Sequence, residues 1–117
     1  MVNETIELEN YTFKSLVKAV CDYSNIKPEE LLGKSRLKMF VVPRHILYYL
    51  GYTYTGYTLP KLGSMIGTRD HTTILYGYNK IIDLKRKDAD LDLAIKEIHL
   101  MALTNEQARQ DKLADYR

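Results

Sequence analysis

A single cysteine, Cys21, stands among the 117 residues. One thiol can neither close an internal disulfide nor supply a cysteine-rich zinc site. The chain must therefore be held by packing, and Cys21, on the apolar side of its segment, is expected to be buried and inert. Long apolar runs are missing too, since nothing approaches the roughly 20 residues that span a bilayer. Met1 to Asn10 bring acids, with neither the basic start nor the apolar centre of a signal peptide. The expectation is a cytoplasmic protein with no membrane partner. There are no internal repeats, no low-complexity segments and no convincing strand pattern, which leaves an all-α fold.

What is present can build a core. A hydrophobic content of 45% beside 27% charged residues fits a folded chain rather than a disordered one. At this length about two-thirds of the unfolded surface can be buried in one domain. The net charge of +2 says little, but its distribution says more. Residues 1–33 carry six acids against three lysines, whereas residues 34–80 carry Lys34, Arg36, Lys38, Arg44, Lys61, Arg69 and Lys80 against Asp70 alone. A basic middle of this kind suits a polyanion.

Apolar spacing marks the helices. Phe13, Leu16, Val17, Val20 and Cys21 place a first helix from about Tyr11 to about Tyr23. Pro28, Glu29 and Glu30, followed by Gly33, indicate a short second helix with a glycine stop. A third helix holds Phe40, Val41, Ile46, Leu47, Tyr49 and Leu50, and Pro43 predicts either a first-turn position or a kink. Residues 51–57 read as an aromatic connection whose tyrosines either wedge helices together or stack on single-stranded bases. Thr58 and Pro60 open a short helix reaching Ile66. After Gly67, Asp70 caps a longer helix with the apolar stripe Ile74, Leu75, Tyr78, Ile81 and Ile82, ending in the cations Lys85, Arg86 and Lys87. A break over Asp88–Asp92 precedes another stripe, Leu91, Ala94, Ile95, Ile98 and Met101. That stripe belongs either to the core or to an interface with a second copy or another protein.

A short helix, a glycine turn and a longer helix with a polar tip make a helix-turn-helix, whose second helix enters the DNA major groove. The tip carries imidazole, hydroxyl, methyl and carboxylate groups, which match the acceptors, amine donors and thymine methyls found there. A half-exposed amphipathic helix is the blander alternative. The basic loop Lys34–Lys38, with Arg44 and His45 beyond it, reads as a phosphate or groove contact, or else as a solvated charged face. Gly33-Lys34-Ser35 ends like a phosphate-binding loop, but Pro28 occupies the position of the first glycine and helix precedes it, so no nucleotide site is expected. Asp70, His71, His99 and Cys21 are the only candidates for catalysis. They fall short of the three or four converging groups that a metal or hydrolytic site needs, so the chain is read as a non-enzyme with no cofactor and no metal.

Four signatures in order, Leu31-Leu32-Gly33-Lys34-Ser35-Arg36, Pro43-Arg44, Leu59-Pro60 and Gly67-Thr68-Arg69-Asp70-His71-Thr72-Thr73-Ile74-Leu75, make residues 11–87 resemble the C-terminal DNA-binding domain, domain IV, of the bacterial replication initiator DnaA. The resemblance implies an all-α domain with an extended, Trp-repressor-like helix-turn-helix that binds double-stranded DNA at a short box. It implies that Asp70, His71 and Thr72 read bases, Thr73 meets a phosphate, and Arg36 enters the minor groove. Arg44 and His45 would lie at base edges or backbone, Leu59 and Pro60 at the sugar-phosphate chain, and Lys38, Lys61, Arg69 and Lys80 are further basic candidates. The chain departs from the family pattern at Thr68 and Gly77, where glycine and alanine are usual, at His45, where glutamine is usual, at Tyr52, where a lysine would bind phosphate, and at Leu37 and Met39 in the basic loop. Weaker or altered binding follows. No ATPase motif precedes the domain, so a stand-alone module is expected: an acidic lead over 1–10, the domain over 11–87, and an additional C-terminal helix and tail over 88–117. Residues 91–103 are the candidate surface for self-association or a protein partner.

Overall fold

A computed structural model describes residues 10–67 and 69–114. Among the described residues six helices follow in order: α1 (Phe13–Ser24), α2 (Pro28–Leu31), α3 (Lys38–Tyr54), α4 (Leu59–Met65), α5 (His71–Lys87) and α6 (Ala89–Ala114). There is no strand among the described residues. Residues 1–9 of the expected acidic lead, Thr68 and residues 115–117 of the tail lie outside them.

Local chemistry explains where the helices start and stop. Thr12 caps α1, its hydroxyl accepting from the Ser15 N–H at 3.3 Å, and Asn25 ends the helix in the left-handed conformation. Thr58 caps α4 and Asp70 caps α5 by the same device. Gly67, at φ +65°, makes the turn between these two helices, a conformation that costs glycine nothing. Asp88 separates α5 from α6, its Oδ1 accepting from the N–H groups of Asp90 and Leu91.

Two boundaries differ from the sequence reading. The helix holding Pro43 begins at Lys38, so the proline sits in its second turn. It is buried there, in contact with the core rather than at a helix start. The aromatic connection is shorter than expected, because α3 continues through Tyr54. The tyrosines lie where helices meet, with Tyr78 against both Tyr49 and Tyr52 at ring separations of 5.5 and 5.2 Å. Wedging is thus the role the packing supports, as suits a side chain with a large apolar body.

The core is built between α1, α3, α4 and α5, with Leu16, Val20, Leu47, Leu62, Ile74 and Ile81 fully shielded. α6 lies along α1, and its Ile95, Ile98 and Ala102 enter the same core. Glu106 ties the pair together at one end, accepting from the Thr12 N–H and hydroxyl and from the Ser15 hydroxyl at 2.8–3.0 Å. Midway, His99 Nδ1 and the Tyr11 hydroxyl share a 2.8 Å hydrogen bond, and the imidazole lies tilted against the Tyr54 ring with centroids 4.3 Å apart. The apolar stripe of residues 91–103 is in this way largely used inside the molecule. Cys21 is buried, and burial, with Asp22, Glu29 and Glu30 nearby, pushes its thiol up to about 11.

Candidate nucleic-acid interface

α5 places its first turn at the surface. Asp70, His71, Thr72 and Thr73 are all exposed, while Ile74, Gly77 and Ile81 turn inward. The Asp70 carboxylate accepts from the Thr72 hydroxyl at 2.9 Å and from the Thr72 N–H at 3.3 Å, and His71 Nδ1 lies 3.2 Å away. Those hydrogen bonds hold the carboxyl below its ordinary range. The first turn is therefore partly pre-arranged, with Asp70 held against Thr72 and His71 and all four side chains exposed.

Beside it opens a cleft of about 720 Å³ between α5, α3 and the loop from α2 to α3. Arg36 and Lys34 line it from the loop, His45 from α3, and Thr73, Tyr76 and Lys80 from α5. Among the described residues, no carboxylate lines it. Arg36, Lys34 and Lys80 are exposed, so their charges are available to an incoming anion. Burial first, then the charges of Arg44 and Lys80, lower the pKa of His45 and favour its neutral ring.

Arg44 corrects the sequence expectation. It was expected at the base edges or backbone, yet its guanidinium is only 5% exposed and donates to the carbonyls of Leu31, Ser35 and Glu30 at 2.7–2.9 Å. Every backbone group it meets is an otherwise open acceptor at the end of α2 or in the loop. Arg69 does related work from the turn between α4 and α5. Its guanidinium donates to the carbonyls of Ile66 at 2.8 Å, of Leu32 at 3.3 Å and of Gly33. Both arginines thus pin the loop carrying Lys34 and Arg36, one from α3 and one from the helix-turn-helix. Their charge still contributes to the cleft they line.

The remaining candidates are spread more widely. Lys38 is exposed at the start of α3. Lys61 and Pro60 are exposed at the start of α4, whereas Leu59 packs partly against the core, and a separate hollow runs past Leu59 and Pro60 to Tyr52 and Tyr57. Lys34 lines the cleft as part of the basic loop, and Tyr76 lines it although sequence reasoning did not single it out. The helical spacing from Thr72 to Tyr76 was the available signal. Of the groups considered for catalysis, Cys21 is buried and His99 is bonded to Tyr11, whereas Asp70 and His71 are exposed, and among the described residues no three His, Cys, Asp or Glu side chains come together as a metal site would require.

With this geometry in view, residues 13–81 match the family described as the bacterial DnaA protein helix-turn-helix. The chain belongs to that family. The chromosomal replication initiator protein DnaA of Limosilactobacillus reuteri is 40% identical over 84 residues, covering 72% of this chain and 19% of the relative. That of Thermus thermophilus is 40% identical over 76 residues, 65% of this chain and 17% of the relative. The Burkholderia multivorans protein is 35% identical over 100 residues, 86% and 18% respectively. The chain thus spans about a fifth of the length of the curated relatives it matches. In the last of these the similarity covers more of the chain than the helix-turn-helix match alone. Among the described residues, no helix is long and apolar enough to cross a membrane.

Proposed function

We propose that this DnaA-type domain binds double-stranded DNA at a short DnaA-box-like sequence, and that occupancy of such sites regulates replication initiation or transcription from the nucleoid. The observation that carries the proposal is the shared anchoring of two surfaces: Arg44 and Arg69 fix the basic loop beside the exposed tip of α5, around a cleft with no carboxylate in its lining among the described residues. One surface alone would be a charged patch. Two, held at fixed separation, can meet adjacent grooves of one duplex.

In this reading Asp70, His71 and Thr72 address base edges, with the carboxylate accepting from a cytosine amine and the threonine methyl meeting thymine. Thr73, Lys38, Lys61 and Lys80 hold phosphates, which position the protein without carrying sequence information. Arg36 enters the minor groove, whose negative potential is strongest in narrow A·T-rich stretches. Leu59 and Pro60 meet the sugar-phosphate chain at the start of α4. His45 and Tyr52 replace residues usual in the family, so the preferred box and its affinity differ from the usual ones. The reading as a dimerisation module loses its main support, since Ile95, Ile98 and Ala102 are buried within the molecule.

Selecting bound duplexes from a random pool at two salt concentrations tests this directly, because it separates the motif from the electrostatic share. Enrichment of one short asymmetric motif at both salts is the expected result. His71→Ala and Thr72→Ala should each relax base preference by about 1–3 kcal/mol, and Lys38→Ala should weaken all duplexes alike and lower the salt slope by about one. Equal binding to selected and scrambled duplexes would overturn the proposal.

A further inference from the structure

Tyr76 is 61% exposed, and neither the cap of α5 nor the core explains why a large aromatic stands there. It lies four residues beyond Thr72 and three before Asn79, both exposed, so the three share the stripe of α5 opposite Ile74, Gly77 and Ile81. A recognition helix reads bases along such a stripe, with contacts spaced i, i+4 and i+7. The Tyr76 ring is not loose on that surface. The imidazole of His45 meets it edge to face, at 6.0 Å and 78°, and Lys80 Nζ lies 6.0 Å from its centroid. His45 is itself backed by Tyr48, 5.7 Å away and fully buried. A run of contacts thus extends from the core through Tyr48 and His45 to an aromatic side chain in solvent.

The geometry points to Tyr76 as a specificity-determining residue of this interface, reading a thymine in the major groove one helical turn beyond the contacts of Thr72, with His45 as its positioning residue. The inference rests on the double-stranded DNA reading given above. Thymine is the base that offers both an O4 acceptor for a phenolic O–H and a C5-methyl for an aromatic ring. A ring that is 61% exposed and held by His45 and Lys80, its hydroxyl without a hydrogen-bond partner among the described residues, can offer both. A glutamine at position 45, the residue usual in the family, would leave the ring without its edge-to-face partner. The altered residue on α3 thereby acts on base choice through α5 instead of touching the base itself.

The test is duplex selection with the full chain and with Tyr76→Ala, Tyr76→Phe, His45→Gln and the His45→Gln/Tyr76→Ala double variant, each first shown to melt cooperatively. The expected result is a thymine preference at one position of the wild-type motif that falls about 10- to 100-fold in Tyr76→Ala, with the other positions unchanged. His45→Gln should weaken the preference at that same position, and the double variant should be no worse than Tyr76→Ala alone. Tyr76→Phe then divides the effect between hydroxyl and ring, and either division supports the assignment. A wild-type motif that all four variants reproduce, or a uniform loss of affinity across sequences in Tyr76→Ala, overturns the role of Tyr76 while leaving the DNA-binding reading standing. A wild-type chain that enriches no motif overturns both.

Discussion

A methyl group built on Gly77 would lie 2.5 Å from Cδ2 of Tyr48 and 2.7 Å from Cδ2 of His45. No real side chain tolerates such separations, and Tyr48 is too well buried for its ring to swing away. Glycine inside a helix normally costs up to about 1 kcal/mol against alanine. Here it lets α5 approach α3 closely, and it explains why the usual alanine is missing in a chain that also carries His45. Gly77→Ala should therefore destabilise the fold by about 1–3 kcal/mol, the range for overpacking a filled site. Urea denaturation decides the matter, and an alanine variant as stable as the wild type would show that the α3–α5 contact has slack.

Arg44 and Arg36 differ by eight residues and have opposite expected phenotypes. Removing the Arg44 side chain leaves three carbonyls, those of Leu31, Ser35 and Glu30, without their donor. Each such loss is of order 1–3 kcal/mol where water cannot substitute, and since the Ser35 and Glu30 contacts are partly solvated, Arg44→Ala should cost about 2–4 kcal/mol in all. Arg36 is exposed, so Arg36→Ala should change stability by less than about 0.5 kcal/mol, while weakening duplex binding and reducing its salt dependence. Melting curves and salt titrations on the two variants provide the comparison. Unchanged stability in Arg44→Ala would mean the loop does not depend on the clamp.

The contrast between these arginines marks the limit of what the residues alone could reveal. Helix identity was legible because caps such as Thr58 and Asp70 and stripes such as Ile74, Tyr78 and Ile81 are local signals. The helix-turn-helix was legible for the same reason. The fate of Arg44 was not, because it depends on three carbonyls 9 to 14 residues away that only the fold brings within reach. His99 was equally opaque, lying against Tyr11 and Tyr54 from distant parts of the chain. Gly77 could be flagged as costly, but its reason lies on another helix.

The position of α6 leads to a paired test of packing against association. Ile98 is fully buried and Leu100, two residues on, is 61% exposed. Ile98→Ala should cost about 2–5 kcal/mol through lost burial and the cavity left behind, whereas Leu100→Ala should stay within about 0.5 kcal/mol. The melting temperature should not depend on protein concentration, as it would if a second copy completed this core. A concentration-dependent transition, or a larger loss at Leu100 than at Ile98, would reassign the helix to an interface.

Acid should loosen the same α1–α6 junction in two stages. Burial lowers the pKa of His99 below its ordinary 6.5, so the fold prefers the neutral ring, and stability complete above that pH declines as pH falls toward the lowered value. Burial alone would raise Glu106, but hydrogen bonds from Thr12, Gln110, Ser15 and Arg109 outweigh it and bring the carboxyl from 4.5 down to about 2. Its contribution is present above about pH 4.5 and is lost as pH falls through about 2. His45, also lowered, adds to the upper stage. His99→Gln should flatten the upper stage in part, and the His45→Gln/His99→Gln variant more fully. Glu106→Gln should shrink the lower stage at a cost near 1–3 kcal/mol at neutral pH, since its oxygens lose charge-assisted bonds to the first turn of α1. Urea midpoints measured from pH 8 down to about pH 2 follow both stages. If Glu106→Gln kept the wild-type acid slope, the carboxylate would not be what fastens α6 to α1.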